Sequence, residues 1–459
     1  MQICIGHRRS TINTVNIRIA EKQQLKTIEK EMGCGCEGYI ARKVMEERII
    51  QEAVQTFGTP LFLYNQNSIE NRMQKLKGAL LQNARLYYAM KANPLMGIVR
   101  MLNAAGCGIE TASQGEIETA IKAGVNARDI LFTSPGKTES ELAYAIKAGV
   151  HIINVESLEE ANCINDIAGN LGKVVDIALR INQNVNFSKA KIKMTGVSSQ
   201  FGIEETELTE QFFDQLASMK NIRVMGIQVY SGTQVLVADE ILKNVEYVIK
   251  MALSLSEKYG FQLSYLNLGG GFGIPYFKDE KELDLAALHD GMMLLEKQYG
   301  EKLNNTEIIF ESGRFLVADS GLYVTRILHR KESKDNLFYI CDGGSNFHSS
   351  TAFLGRFIRN NFPMYAITDR GANRKVNVVG PLCTPTDLMG QNVELSGNLQ
   401  KDDLIIILKS GAYGLTYSPI HFLSHETPME VMWDSGKYKI LRERGKAEDL
   451  WIRQRITDE

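Results

Sequence analysis

A lysine, three glutamates, two arginines and a run of glycines stand at or just beyond short apolar segments of this 459-residue chain. Lys91 follows Arg85–Met90, Glu110 lies in Gly108–Thr111, Glu156 follows His151–Val155, and Arg180 lies in Asp176–Ile181. Gly269-Gly270-Gly271 follows Leu263–Leu268, while Glu311, Gly313 and Arg314 follow Glu307–Phe310. A desolvated lysine loses its charge more readily and becomes a nucleophile toward carbonyl carbon. Glycines let backbone N–H groups approach an anion closely. Arginine offers a forked donor suited to phosphate, and a carboxylate such as Glu311 can hold a cationic ring nitrogen. Gly269-Gly270-Gly271-Phe272-Gly273 does not fit the dinucleotide pattern G-x-G-x-x-G, because Ile274 occupies the last position. A lysine for an aldehyde, a carboxylate for a ring nitrogen, and glycines with an arginine for a phosphate together describe pyridoxal phosphate.

Something must bring these tips together. Eight apolar runs, adding Asp129–Thr133 and Arg223–Tyr230 to those above, alternate with stretches of helical periodicity such as Ser113–Ala123 and Glu139–Ala148. Continuous apolar strands alternating with amphipathic helices predict a parallel sheet covered by helices. Eight units predict a closed (β/α)₈ TIM barrel, whose chemistry collects at the C-terminal strand tips. Residues 67–320 are assigned to the barrel and 1–45 to a polar N-terminal extension. Residues 46–66 are assigned to a segment packing with a second domain: a helix resumes at Val44–Phe57, and Thr59–Tyr64 reads as a short strand. After Arg314 the rhythm becomes mostly strand-like, at Phe315–His329, Leu337–Cys341, Lys375–Val379, Val393–Leu395, Asp403–Leu408 and Met429–Met432. The fold class is therefore α/β, a barrel followed by a C-terminal mainly-β domain over 321–459, either a sandwich or a barrel.

A formal net charge of -2 gives no basic face for nucleic acid. No apolar run approaches the ~20 residues of a membrane helix. Met1–Ala20 lacks the continuous apolar core of a secretory signal, and seven cysteines in so long a chain suit a reducing compartment, so a cytoplasmic location is expected. Cys34-Gly35-Cys36 reads as a glycine turn, since no second Cys/His pair lies nearby, and no histidine spacing suggests a metal site.

The ordered motifs Tyr88-Ala89-Met90-Lys91-Ala92-Asn93, Gly108–Ser113, Gly269-Gly270-Gly271, Glu311-Ser312-Gly313-Arg314, Cys383-Thr384-Pro385-Thr386-Asp387 and Gly411-Ala412-Tyr413-Gly414 resemble one family. It is the fold-type III pyridoxal-phosphate decarboxylases, which include the diaminopimelate, ornithine and arginine decarboxylases, and the resemblance covers about 55–435. It implies that Lys91 binds the cofactor aldehyde and that Glu311 pairs with the ring nitrogen. Gly270, Gly271, Gly313, Arg314, Thr233 and Tyr413 would then surround the phosphate, with Arg180 and Glu110 beside the ring. It also implies a head-to-tail homodimer with shared sites. Cys383 would reach in from the partner subunit as proton donor, with Asp387 on the substrate side.

Departures bear on the substrate. The family usually carries His where Tyr230 stands; tyrosine can stack on the pyridine but supplies no positive charge near pH 7. Diaminopimelate decarboxylases place Glu after the cysteine to hold the distal ammonium, where this chain has neutral Thr384. Their Arg-Pro-x-x-Tyr motif is absent from Asn346–Arg356. His421 and His425, in Ser418–His425, are open to either substrate contact or loop hydrogen bonds. With Ile192–Gly196 and Gln200-Phe201-Gly202, these features resemble a branch of antibiotic biosynthesis acting on L-glutamate tethered to an acyl-carrier protein, and its siderophore-pathway relatives. The reading is a decarboxylase of that branch. Alternatives are a diaminopimelate decarboxylase, a siderophore-pathway decarboxylase of the citryl-diaminopropionate type, and a catalytically inactive regulatory homologue. A racemase is disfavoured, since racemase relatives place Arg at the ring nitrogen.

Overall fold

The computed structural model describes residues 36–184, 192–193, 199–277, 280–352 and 361–457. Cys34-Gly35, Met194–Gly196 and part of Asn346–Arg356 lie outside the described residues, as does most of the N-terminal extension. Two units are distinguished, one ending at Gly58 and the other running from Thr59. In the first, the described residues form the helix Cys36–Phe57, which begins eight residues before the expected Val44.

The second unit holds both layers expected from the sequence. Arg85–Ala89, Gly108–Thr111, Ile130–Thr133, Ile152–Val155, Val175–Asn182, Ile222–Val229, Tyr265–Asn267 and Glu307–Ser312 pair in parallel. The ring closes where Glu311 of the last strand sits opposite Tyr87 of the first. Short polar caps launch the intervening helices. Ser113 and Ser157 each accept an N–H three residues on, and Thr138 with Glu141 forms a reciprocal capping box before Glu139–Ala148.

Strand alternation then sorts the barrel interior. Tyr87, Leu131, Ile152, Ala178, Tyr265 and Ile309 pack into one buried apolar cluster. Two residues further along their strands the buried side chains turn polar: Thr133, Asn154, Arg180, Asn267 and Glu311. The apolar layer plugs the barrel, and the polar layer forms the floor of its C-terminal mouth.

The second layer is a mixed sheet rather than a sandwich or barrel. Its order is Leu388–Ser396, Asn373–Val379, Asn336–Cys341, Gly321–Ser333, Leu61–Asn65, Met429–Asp434, Lys437–Arg442, and Leu404–Ile407 branches from Gly321–Ser333. Leu61–Asn65 lies between a strand antiparallel to it and one parallel to it. An element preceding the barrel in sequence thus completes a sheet that follows it. Phe315, expected in a strand, belongs to the short helix Arg314–Val317, and the strand starts only at Gly321. Gly411 crosses Val317 so closely that an added Cβ would lie 1.8 Å from its carbonyl oxygen.

His348 sits in this layer without solvent contact, its Nε2 paired with Ser410 Oγ at 2.9 Å, and its Nδ1 has no hydrogen-bond partner among the described residues. Burial depresses its pKa from 6.5 to about 3. The folded state holds the ring neutral while the unfolded chain takes up a proton below 6.5. The stability this group contributes is therefore complete above 6.5 and lost as pH falls toward 3. Between pH 6.5 and 5 the loss is expected to be about 1–2 kcal/mol. Urea midpoints of the protein and of His348→Gln, compared over that window, should converge toward acid pH; parallel curves would contradict the assignment.

Candidate active site

Lys91 stands in a single 3₁₀ turn, Met90–Ala92, directly after the first barrel strand. The turn is tied to the second layer from both ends. Ala92 O accepts the Tyr413 N–H at 2.7 Å, and Asn93 Nδ2 donates to Gly411 O at 3.0 Å. The Tyr88 hydroxyl donates to Asn93 O at 2.9 Å and stiffens the same turn. Lys91 is thereby aimed across the barrel mouth.

Its Nζ lies 3.2 and 3.4 Å from the two oxygens of Glu110, which is buried, and 5.9 Å from the centre of the Tyr230 ring. Burial works against the ammonium, but Glu110 and then Glu311 outweigh it and hold the pKa above the usual lysine value. Within this chain Lys91 pairs with Glu110, which opposes the ready neutralisation expected of a desolvated amine. Glu311 is raised above the usual carboxylate range, first by burial and next by the charge of Glu110, while Lys91 and Asn267 act in the opposite direction.

Asn267, on the seventh strand, was not singled out from the sequence. Its Nδ2 donates to Glu311 Oε1 at 2.7 Å and to Tyr265 Oη at 3.0 Å, and its Oδ1 accepts the Gly269 N–H at 3.0 Å. Its position two residues before the glycine run was the only available signal. The glycines themselves are dictated by close approach. A Cβ on Gly270 would lie 2.0 Å from Glu311 O, and one on Gly271, at φ +91°, would lie 2.3 Å from Gly232 O. Gly313 packs under the lysine turn, where a Cβ would come within 2.9 Å of Ala89 O.

Thr233 lies beside Gly271, in the two-residue bridge Gly232–Thr233 paired with Ile192–Lys193. The preceding Ser231 is anchored from behind by Gln183 and Asn244. Arg314 opens its short helix between two rings, 4.5 Å from the Tyr413 centroid and 5.6 Å from that of Tyr276, whose hydroxyl accepts from Nη1 at 3.2 Å. Its buried Nε has no hydrogen-bond partner among the described residues. Arg180 is held by Glu156 Oε1 at 2.6 Å and lies over the Phe201 ring, while Glu156 Oε2 accepts the Gly202 N–H at 2.9 Å. Gln200-Phe201-Gly202 is thus fastened to the mouth.

The remaining candidates stand apart. Among the described residues no hydrogen bond or ion pair joins Cys383, Thr384, Asp387 or His421 to Lys91, whose ammonium pairs with Glu110. Cys383 is exposed on the loop before Leu388, and His421 is exposed at the turn Phe422–Ser424. Thr384 Oγ1 pairs with Thr386 Oγ1 at 2.9 Å. The buried Asp387 carboxylate accepts the N–H groups of Ser345 and Leu382 at 2.7 and 2.8 Å, so it shapes the loop that presents Cys383. No group of side chains suited to a metal ion occurs among the described residues, and no helix there is long and apolar enough to cross a membrane.

Residues 66–318 match the family model described as pyridoxal-dependent decarboxylase, pyridoxal binding domain. The chain is 37% identical over 420 residues to L-glutamyl-[BtrI acyl-carrier protein] decarboxylase of Niallia circulans, covering 90% of this chain and 98% of that one. It is 31% identical to 2-[(L-alanin-3-ylcarbamoyl)methyl]-2-hydroxybutanedioate decarboxylase of Staphylococcus aureus, covering 84% and 97% of the two chains. The crystal structure of diaminopimelate decarboxylase from Helicobacter pylori in complex with L-lysine superposes with a TM-score of 0.79 at 29% identity, covering 88% of this chain and 98% of that one.

Proposed function

We propose, from the fact that this chain belongs to the pyridoxal-dependent decarboxylases, that it removes the α-carboxylate of an L-amino acid whose far end is already acylated. L-Glutamate joined through its side chain to an acyl-carrier protein is the leading substrate. The observation that carries the pyridoxal reading is the arrangement of Lys91 against Glu110, with Glu311 behind it and a glycine run and Arg314 at hand. The donor set fits the cofactor: the buried Nε of Arg314, without a hydrogen-bond partner among the described residues, and glycines that leave no room for a Cβ suit a phosphate.

In this reading Gly270, Gly271, Gly313, Thr233, Arg314 and Tyr413 hold the phosphate, and Tyr230, Arg180 and Glu110 flank the ring. When bound, pyridoxal phosphate supplies an electron sink for the pair left behind as the carboxylate departs as CO₂. Lys91 would hold the cofactor through its aldehyde, its amine being the nucleophile of the site. Glu311 would hold the ring nitrogen and favour its cationic form. The Glu156–Arg180 pair and Phe201 form a wall that limits water entry. Cys383 of the partner subunit gives its proton to the α-carbon, completing the amine product. The exposure of Cys383 within one chain supports a site completed by a homodimer.

Two sequence features support an acylated far end. Thr384, beside the proton donor, offers no charge to a distal ammonium, and the Arg-Pro-x-x-Tyr motif is missing. The two curated relatives above are both named for an amino acid carried on a larger group. A charged terminus left without its partner costs on the order of 1–3 kcal/mol per contact, about tenfold to a hundredfold in kcat/KM. CO₂ release from γ-glutamyl carrier protein is therefore expected to exceed release from free diaminopimelate, ornithine or lysine by at least about tenfold. Steady-state assays across that panel decide it. A free diamino acid handled as well as the acylated substrate would restore the diaminopimelate reading, and no release from any substrate would favour the inactive homologue.

A further inference from the structure

A closed circuit of three hydrogen bonds links the two ends of the pyridoxal seat. Glu311 N–H donates to Gly269 O at 2.7 Å, Gly269 N–H donates to Asn267 Oδ1 at 3.0 Å, and Asn267 Nδ2 donates to Glu311 Oε1 at 2.7 Å. Asn267 is fully buried, and its second amide hydrogen is taken by Tyr265 Oη. We propose that Asn267 is a positioning residue that holds the Glu311 carboxylate and the glycine turn in one register, so that a single buried amide sets both ends of the site.

The chemistry of the position is demanding. The side chain must donate toward a carboxylate and accept from a backbone N–H at once, without bringing a charge that would neutralise Glu311. A primary amide does this with its planar donor and acceptor faces. Gly269, at φ +67°, has no space for a Cβ, which would lie 2.1 Å from Val229 O, so the turn is packed against the end of the neighbouring strand. Glu311 and Gly270 are in backbone contact, so movement at one end is passed to the other. Asn267 touches neither reacting atoms nor, in this scheme, the cofactor; it acts through Glu311 and Gly269.

The inference rests on the pyridoxal reading, and its test separates the two. Apoprotein is titrated with pyridoxal phosphate between pH 6 and 9, reading both the dissociation constant and the visible band of the bound cofactor. Asn267→Asp is nearly isosteric, keeps the acceptor for Gly269 and replaces the donor to Glu311 with a second carboxyl. At pH 6 a shared proton restores the hydrogen bond, and affinity and band should approach those of the unsubstituted protein. As the pH rises and the pair loses that shared proton, the dissociation constant should rise at least about tenfold relative to the unsubstituted protein, with a displaced band. Asn267→Ala, lacking both contacts, should show the weaker binding throughout. If that variant does not fold, Asn267→Asp alone decides. The unsubstituted dissociation constant and band in Asn267→Asp throughout pH 6–9, or in Asn267→Ala at any pH, would overturn the positioning role. Failure of the unsubstituted protein to bind pyridoxal phosphate would instead overturn the functional reading.

Discussion

Lys91→Ala is expected to lower kcat by at least about 10³-fold, the range lost when a residue that both binds the reacting carbon and moves protons is removed. The effect should fall on chemistry rather than folding. Lys91 stands in the open mouth, its side chain 44% exposed, and the turn that carries it is held by backbone and Asn93 contacts the substitution leaves in place. Removing the ammonium takes away the charge that holds Glu311 down against burial and Glu110, which favours uptake of a proton by Glu311. The variant should therefore retain its circular dichroism spectrum and bind protons more readily near neutral pH. Turnover within about tenfold of the unsubstituted enzyme would remove Lys91 from the mechanism.

Glu311→Gln is expected to cost about 10²–10³-fold in kcat, the magnitude typical of losing one aligned charge-stabilising group in a water-poor site. The side chain keeps its shape, and Asn267 Nδ2 can still donate to the remaining oxygen. What disappears is the negative charge that favours a cationic ring nitrogen. That same charge is a burden on the fold, because burial and the neighbouring Glu110 both oppose it. Activity and stability should thus move in opposite directions: kcat falls while the melting temperature is unchanged or higher. A drop in both would mean that Glu311 serves the fold, and an unchanged kcat would place the ring nitrogen elsewhere.

Much of this site could be read in the chain because it is built on strands. All eight apolar runs became barrel strands, and Lys91, Glu110, Arg180, Glu311 and the glycine run reached one mouth, since closure of a parallel barrel brings every C-terminal tip to the same end. Asn267 escaped notice for a physical reason. Strands covered on both faces are apolar throughout, so their sequence does not show which of Asn267 or Leu268 points inward. Glu156 was visible at a tip, but its bonds to Arg180 and Gly202 depend on loop conformation. Tyr276 follows the glycine loop without any periodic signal, and only folding sets it against Arg314. In the second layer, the segment after Arg314 carried β-branched and aromatic residues that read as strand. Packing of Gly411 against Val317 accompanies a helical turn there instead. Support of the Lys91 ammonium by Glu110 and Glu311 was not legible either, because their approach to the amine depends on barrel closure.

The account turns on one covalent link. Holoenzyme treated with borohydride should lose its visible absorption band, and digestion followed by mass spectrometry should place a reduced pyridoxyl group on the peptide containing Lys91. The same treatment of Lys91→Ala should yield no such adduct. Recovery of the pyridoxyl group on another lysine, or a protein that takes up pyridoxal phosphate without forming any reducible bond, would contradict the assignment of this site.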